Sequence, residues 1–158
     1  MSMIEARLAQ LGLVLPAANA PVANYVPFVR TGNLVHISGQ ISHNADASFK
    51  GTVGVDVDLD TAVAAARLCG LNLLAQMKAA LDGDLDNLKR VVRLGGFVQC
   101  GPDFIDIPKV INGCSDLMVD VFGDAGRHAR SAVGVYKLPL GVAVEIDAVI
   151  EVAERRAV

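Results

Sequence analysis

Apolar residues recur along this chain with two periods, and the switches between them set an order of elements. From Met1 to Leu13, Ile4, Leu8 and Leu11 fall at helical spacing with Glu5, Arg7 and Gln10 between them. Gly12 and Pro16 close this short helix, and Pro16 to Ala23 is a Pro/Ala/Asn loop. Tyr25 to Val29 and Leu34 to Ser38 read as paired strands around a turn at Thr31-Gly32-Asn33. Pro27 has no N–H to give a ladder, so the first strand belongs at an edge or a bulge. Ser38-Gly39-Gln40 then leaves the sheet, and Ile41 to Leu59 is a polar, glycine-bearing loop.

Asp60 to Leu81 is the clearest helix, capped by Asp60 or Thr61. Val63, Ala66, Gly70, Leu74, Met77 and Leu81 form its apolar stripe, with Arg67, Asn72 and Lys78 off it. Arg90 to Cys100 is a strand interrupted by Gly95-Gly96. Asp106 to Phe122 is a second long helix, capped by Asp106, with Pro108 in its first turn. Its buried stripe is Ile111, Cys114, Met118 and Val121. His128 to Val152 reads as two strands joined at Leu138-Pro139-Leu140-Gly141.

This order lacks a sustained β-α-β-α alternation and so points to an α+β fold, with both long helices on one face of a single sheet. The other face would carry residues such as Val133, Val135 or Ile146, too apolar for water, so self-association should cover it. A chain of 158 residues fits one domain, with 1–23 as an extension and 24–153 as the core.

Composition narrows the setting. Hydrophobic residues make up 53% and charged residues 20%, enough to build a core and too apolar for a disordered chain. The net charge of −3 argues against a broad nucleic-acid face. Cys69, Cys100 and Cys114 are odd in number and unevenly spaced, which suggests neither a disulfide framework nor a zinc site. No secretory signal or membrane-length apolar run stands out, so a reducing cytoplasm is the expected setting.

Two charges interrupt the apolar C-terminal run. Arg130 shares a strand face with Ala132, Gly134 and Tyr136, a lane of mostly small residues with room for an approaching group. On pattern alone, the plainer reading is that it ends a strand and pairs with a surface carboxylate. Glu145 shares its face with Ala143, Asp147 and Val149. Asn112 and Ser115 stand at i, i+3 on one helix face. His36 and His43 lack a third ligand at metal spacing.

These pieces together resemble the RidA/YjgF family of reactive-intermediate imine deaminases. Asn24-Tyr25-Val26, Gly32-Asn33 and Ser38-Gly39-Gln40 are similar to its N-terminal hairpin. Arg130-Ser131, Leu138-Pro139 and Val144-Glu145-Ile146 are similar to its C-terminal block, so the likeness spans roughly Tyr25 to Ala153. It implies a chorismate-mutase-like α+β fold, with one mixed, mainly antiparallel sheet, in a homotrimer with clefts between subunits. It implies that Arg130 binds a substrate carboxylate and that Glu145 handles the hydrolytic water. Tyr25, Ser38, Gly39 and Gln40 would line the cleft. Asn112 or Ser115 would fill the place of a helix asparagine. Ala132 stands where the family often has cysteine, which leaves only a backbone contact there.

The implied reaction hydrolyses an enamine or imine acid, such as 2-aminoacrylate, to a 2-keto acid and ammonia, with no metal or organic cofactor. Two other readings stay open: a non-catalytic trimer that binds small carboxylates, and an endoribonuclease, for which Arg127, His128 and Arg130 are the only concentrated basic cluster. Chorismate mutase activity rests on fold analogy alone.

Overall fold

A computed structural model describes residues 2–21 and 23–154. Five strands form one sheet in the order β1-β2-β5-β3-β4: β1 Phe28–Thr31, β2 Leu34–Ile41, β3 Leu88–Gln99, β4 Ala129–Val135 and β5 Val144–Val152. Three α-helices complete the fold: α1 Met3–Gln10, α2 Leu59–Ala80 and α3 Ile107–Phe122. The two long helices pack on one face of the sheet and on each other, giving the expected α+β architecture.

β5 lies at the centre because it has the alternation a central strand requires. Val144, Ile146, Ala148, Ile150 and Val152 are buried toward the helices. Glu145, Asp147, Val149 and Glu151 face the other way. Ile146 is therefore a core residue and does not belong to the open face, contrary to the expectation from sequence. Val133 does belong there, at 45% exposed, with Val29 at 54%.

The last two strands are not a hairpin. β3 inserts between β4 and β5, pairing antiparallel with β5 and parallel with β4. Parallel neighbours need a crossover, and α3 supplies it. The Leu138–Gly141 segment thus carries the chain from one side of β3 to the other, through a 3-10 turn with Leu140 at φ 58°.

Local chemistry shifts several boundaries. β1 starts at Phe28, so Tyr25, Val26 and Pro27 run beside the sheet rather than in it. The carbonyl of Pro27 accepts the Ser38 N–H at 2.9 Å, and the Val26 carbonyl accepts the Ser38 hydroxyl at 2.8 Å. β2 does not leave the sheet at Ser38 but continues to Ile41 through a bulge between Ile37 and Gln40. The cap of α2 is Asp58, whose carboxylate accepts the Thr61 N–H at 2.8 Å and is held below its usual range by the Thr61 side chain and then by that N–H. Asp106 precedes α3, but its side chain makes no capping bond and pairs with Lys109 at 3.3 Å.

α2 and α3 cross closely because small residues meet there. A Cβ on Gly113 would run into the Val63 carbonyl, and one on Gly70 into Leu117 and Cys114. α1 is tied on by Asp86, whose carboxylate accepts the N–H groups of Met3 and Ile4 at 2.8 and 2.9 Å. Arg7 donates to the Asp120 carbonyl at 2.7 Å, and Lys78 pairs with Glu5 at 2.6 Å. The segment after α1 reaches α2 again where Gln76 donates to the Asn19 carbonyl at 2.7 Å.

Gly113→Ala should lower stability by about 1–3 kcal/mol, since the new methyl meets backbone that cannot swing aside. Urea unfolding of this variant beside wild type measures the loss, and an unchanged midpoint would show that the helices can separate freely.

Candidate functional site

The chain carries two clusters of candidate residues on opposite faces of the sheet. The first lines a cleft of about 720 Å³. Tyr25, Ser38, Gly39, Gln40 and Glu145 all contribute to it, with Asn19 to Pro21, His43, Gln76 and Leu140 forming other walls. The Ile37–Gln40 bulge lets Glu145 lean over Gly39, whose missing side chain leaves space for the carboxylate; any Cβ there would collide with Oε1. Among the described residues no cation pairs with Glu145. Burial, and then the charge of Asp147, push its carboxyl above the usual carboxylate range.

Asn72 braces this cleft. It lies off the apolar stripe as the sequence indicates, yet it is 2% exposed. Its amide donates to the carbonyls of Ile41 at 3.1 Å and His43 at 3.3 Å. Its own oxygen accepts from Asn44 at 2.9 Å. The 41–44 wall is therefore pinned to α2 by a buried polar network. Sequence reasoning missed Asn72 and Gln76 because nothing local separates a buried amide from a solvated one. The strap at Asn19 to Pro21 was missed because it reaches the cleft only through tertiary folding.

The second cluster gathers at the β4 edge against α3. Arg130 Nη1 donates to Asn112 Oδ1 at 2.8 Å and to Ser115 Oγ at 3.0 Å, and Nη2 donates to the Pro108 carbonyl at 3.2 Å. Asn112 and Ser115 both hold the same nitrogen. The Nε–H and one Nη2–H have no partner among the described residues, so the planar cation keeps donors for an anion. Ala132 follows on the same strand face, half-buried against the core.

Ser115 is also 2.8 Å from Nε2 of His128, a residue the sequence marked only as part of a basic cluster. His128 Nδ1 lies 2.6 Å from the Gly126 carbonyl, which can only accept, so Nδ1 carries hydrogen. Burial, assisted by the Arg130 charge, holds this imidazole below its ordinary value against the opposing Gly126 bond. Its position two residues before Arg130, just ahead of β4, was the available signal.

Arg130 and Glu145 do not meet within one chain. β3 separates their strands, and their side chains emerge on opposite faces. Thiol chemistry is absent from both clusters: burial pushes Cys114 up to about 12, despite the lowering charge of Arg130, and raises Cys69 and Cys100.

Known proteins share this architecture. The family model described as "YjgF/chorismate mutase-like, putative endoribonuclease" matches residues 5–151. Protein TCP17 of Trypanosoma cruzi is 49% identical over 150 residues, covering 94% of this chain and 93% of that protein. A 2-iminobutanoate/2-iminopropanoate deaminase of Dermatophagoides farinae is 28% identical over 135 residues, covering 85% and 91%. The crystal structure of Atu1372 from Agrobacterium tumefaciens, a protein of unknown function, superposes with a TM-score of 0.88 at 50% identity, covering 95% of this chain and 92% of that one. The match along nearly the whole chain places this protein in the RidA/YjgF, chorismate-mutase-like family.

Proposed function

We propose that the protein hydrolyses reactive enamine and imine acids to 2-keto acids and ammonia, in clefts completed between the subunits of a homotrimer. The observation that carries this reading is the prepared guanidinium of Arg130. Three acceptors fix it, and two of its N–H donors have no partner among the described residues. Two parallel N–H donors suit a carboxylate in side-on geometry. The likeness to a 2-iminobutanoate/2-iminopropanoate deaminase supports an α-imino acid as the owner of that carboxylate.

A tautomerised enamine presents an electrophilic C2 beside the carboxylate. Water adds to C2, its proton passes to a base, and ammonia leaves from the tetrahedral adduct as the 2-keto group forms. Glu145 is suited to the base role because its proton affinity is raised and no cation neutralises it. A second copy of the chain would have to bring its β4 edge over the Glu145 cleft. The half-exposed valines of the open face provide apolar surface for such a contact.

A carboxylate-binding protein without turnover is the second reading. Ala132 in the place of the frequent family cysteine favours it.

With 2-aminoacrylate or 2-iminobutanoate generated in place, wild type should speed keto-acid release. Arg130→Ala should lose about 100-fold in kcat/KM from misplaced substrate. Glu145→Gln should lose about 100-fold or more in kcat. Release no faster than in buffer, with carboxylate binding that still needs Arg130, would establish the second reading. Subunits of the two inactive variants, refolded together at equal ratio, should recover about a quarter of wild-type activity, because a mixed ring regains one intact cleft. No recovery in mixed trimers would refute the shared cleft.

Glu145→Gln also tests the carboxyl by linkage. The folded chain binds this proton more tightly than the unfolded one, so ionised Glu145 costs stability once pH rises through its raised folded-state value, and the cost fades as pH falls below the unfolded one. The variant should melt higher than wild type near neutrality, with the gap closing in acid. Calorimetry showing an equal gap at both ends would contradict the raised affinity.

A further inference from the structure

His128 stands behind Arg130, in contact with the side chain that fixes it. We propose that His128 is a positioning residue acting through the Ser115 hydroxyl on Arg130, and that a small carboxylate bound at Arg130 is coupled to proton uptake by His128. The proposal rests on the reading of Arg130 as a carboxylate anchor.

The hydrogen bonds leave only two arrangements. With His128 neutral, Nδ1–H donates to Gly126 and the Nε2 lone pair accepts the Ser115 O–H. The serine oxygen then accepts from Arg130 Nη1, and the hydroxyl has no hydrogen to offer a ligand. With a proton taken from solvent onto Nε2, the direction of the Ser115 bond reverses. Ser115 accepts from both His128 and Arg130, and its own hydrogen turns outward as a further donor beside the guanidinium. The one bond formed is Nε2–H, its proton drawn from solvent as the anion binds.

The charges around the imidazole favour this exchange. Arg130 on β4 disfavours the protonated ring while the site is empty. An anion at Arg130 offsets that charge and draws the proton in. Arg127 in the preceding turn is paired with Asp124 at 3.3 Å. α3 presents the imidazole with the Ser115 hydroxyl. On β3, Arg90 donates to the Arg127 carbonyl, and Arg93 to Ser131 on the far face. Among the described residues no carboxylate pairs with His128, so a bound anion has no built-in competitor there. A ring that merely filled space would not need its second nitrogen aimed at the serine that also receives Arg130.

The test is calorimetric titration of 2-oxobutanoate into wild type, His128→Gln and Ser115→Ala, from about pH 5.5 to about pH 8.5. Wild type should bind about tenfold more tightly at the acid end, taking up about half a proton per anion near the middle of the range. His128→Gln keeps an acceptor for Ser115 but cannot titrate. It should match wild type at the alkaline end and gain nothing in acid, and Ser115→Ala should also be flat. The same acid gain in His128→Gln as in wild type, with Arg130 still required, would overturn the coupling and leave the anchor standing. Absence of binding by wild type at every pH would overturn both. Should the variants fail to fold, nitrogen NMR of the wild-type imidazole decides: its midpoint should rise on saturation with 2-oxobutanoate, and an unmoved midpoint refutes the proposal.

Discussion

Parallel pairing of β3 with β4 is the constraint on which the arrangement depends. It forces a crossover, and the crossover is α3, so Arg130 comes to lie against the helix that supplies Asn112, Ser115 and the Pro108 carbonyl. A direct β4–β5 hairpin would have set Arg130 and Glu145 on neighbouring strands. With β3 between them, the anion-holding group sits at an edge, and the carboxylate sits over the far face beside β2. Neither half offers a full set of groups for hydrolysis, and this gives the assembly of copies its chemical purpose in the reading proposed above.

Much of this was legible in the sequence, for local reasons. The alternation of β5, the stripe of α3 and the Gly32-Asn33 turn are short-range patterns that survive folding unchanged. The order of elements and the α+β class follow from them. Arg130 and Glu145 also stood out, because a charge inside an apolar strand is visible without knowing its neighbours; Tyr25, Ser38, Gly39 and Gln40 were indicated only by the family resemblance. The pairing of β4 was not legible. A Pro-Leu-Gly connection reads as a hairpin turn, and only long-range competition between β3 and β4 for the edge of β5 decides otherwise. Asn72 and Gln76 were hidden for a related reason. They occupy polar positions on a helix whose nominally wet side is covered by the 41–44 loop and the Asn19 strap.

The two clusters use different physics. Around Arg130, order comes from hydrogen bonds that fix a cation without neutralising it, since every group touching it is a neutral acceptor. Around Glu145, burial and the neighbouring Asp147 make the charged state costly, and Gly39 gives the side chain its place. One site is therefore short of negative charge and the other is reluctant to hold it. A ligand that is an anion at one end and an electrophile at the other suits both.

The three thiols bear on durability. Cys69 and Cys114 are fully enclosed between helices and sheet, and Cys100 is half-buried; burial keeps all three protonated. Enamine and imine acids are themselves attacked by thiolates, so a protein that gathers them risks alkylating itself. Here no thiolate faces either cluster. In the reading proposed above, a chain built this way meets such compounds with no thiolate beside them to be consumed.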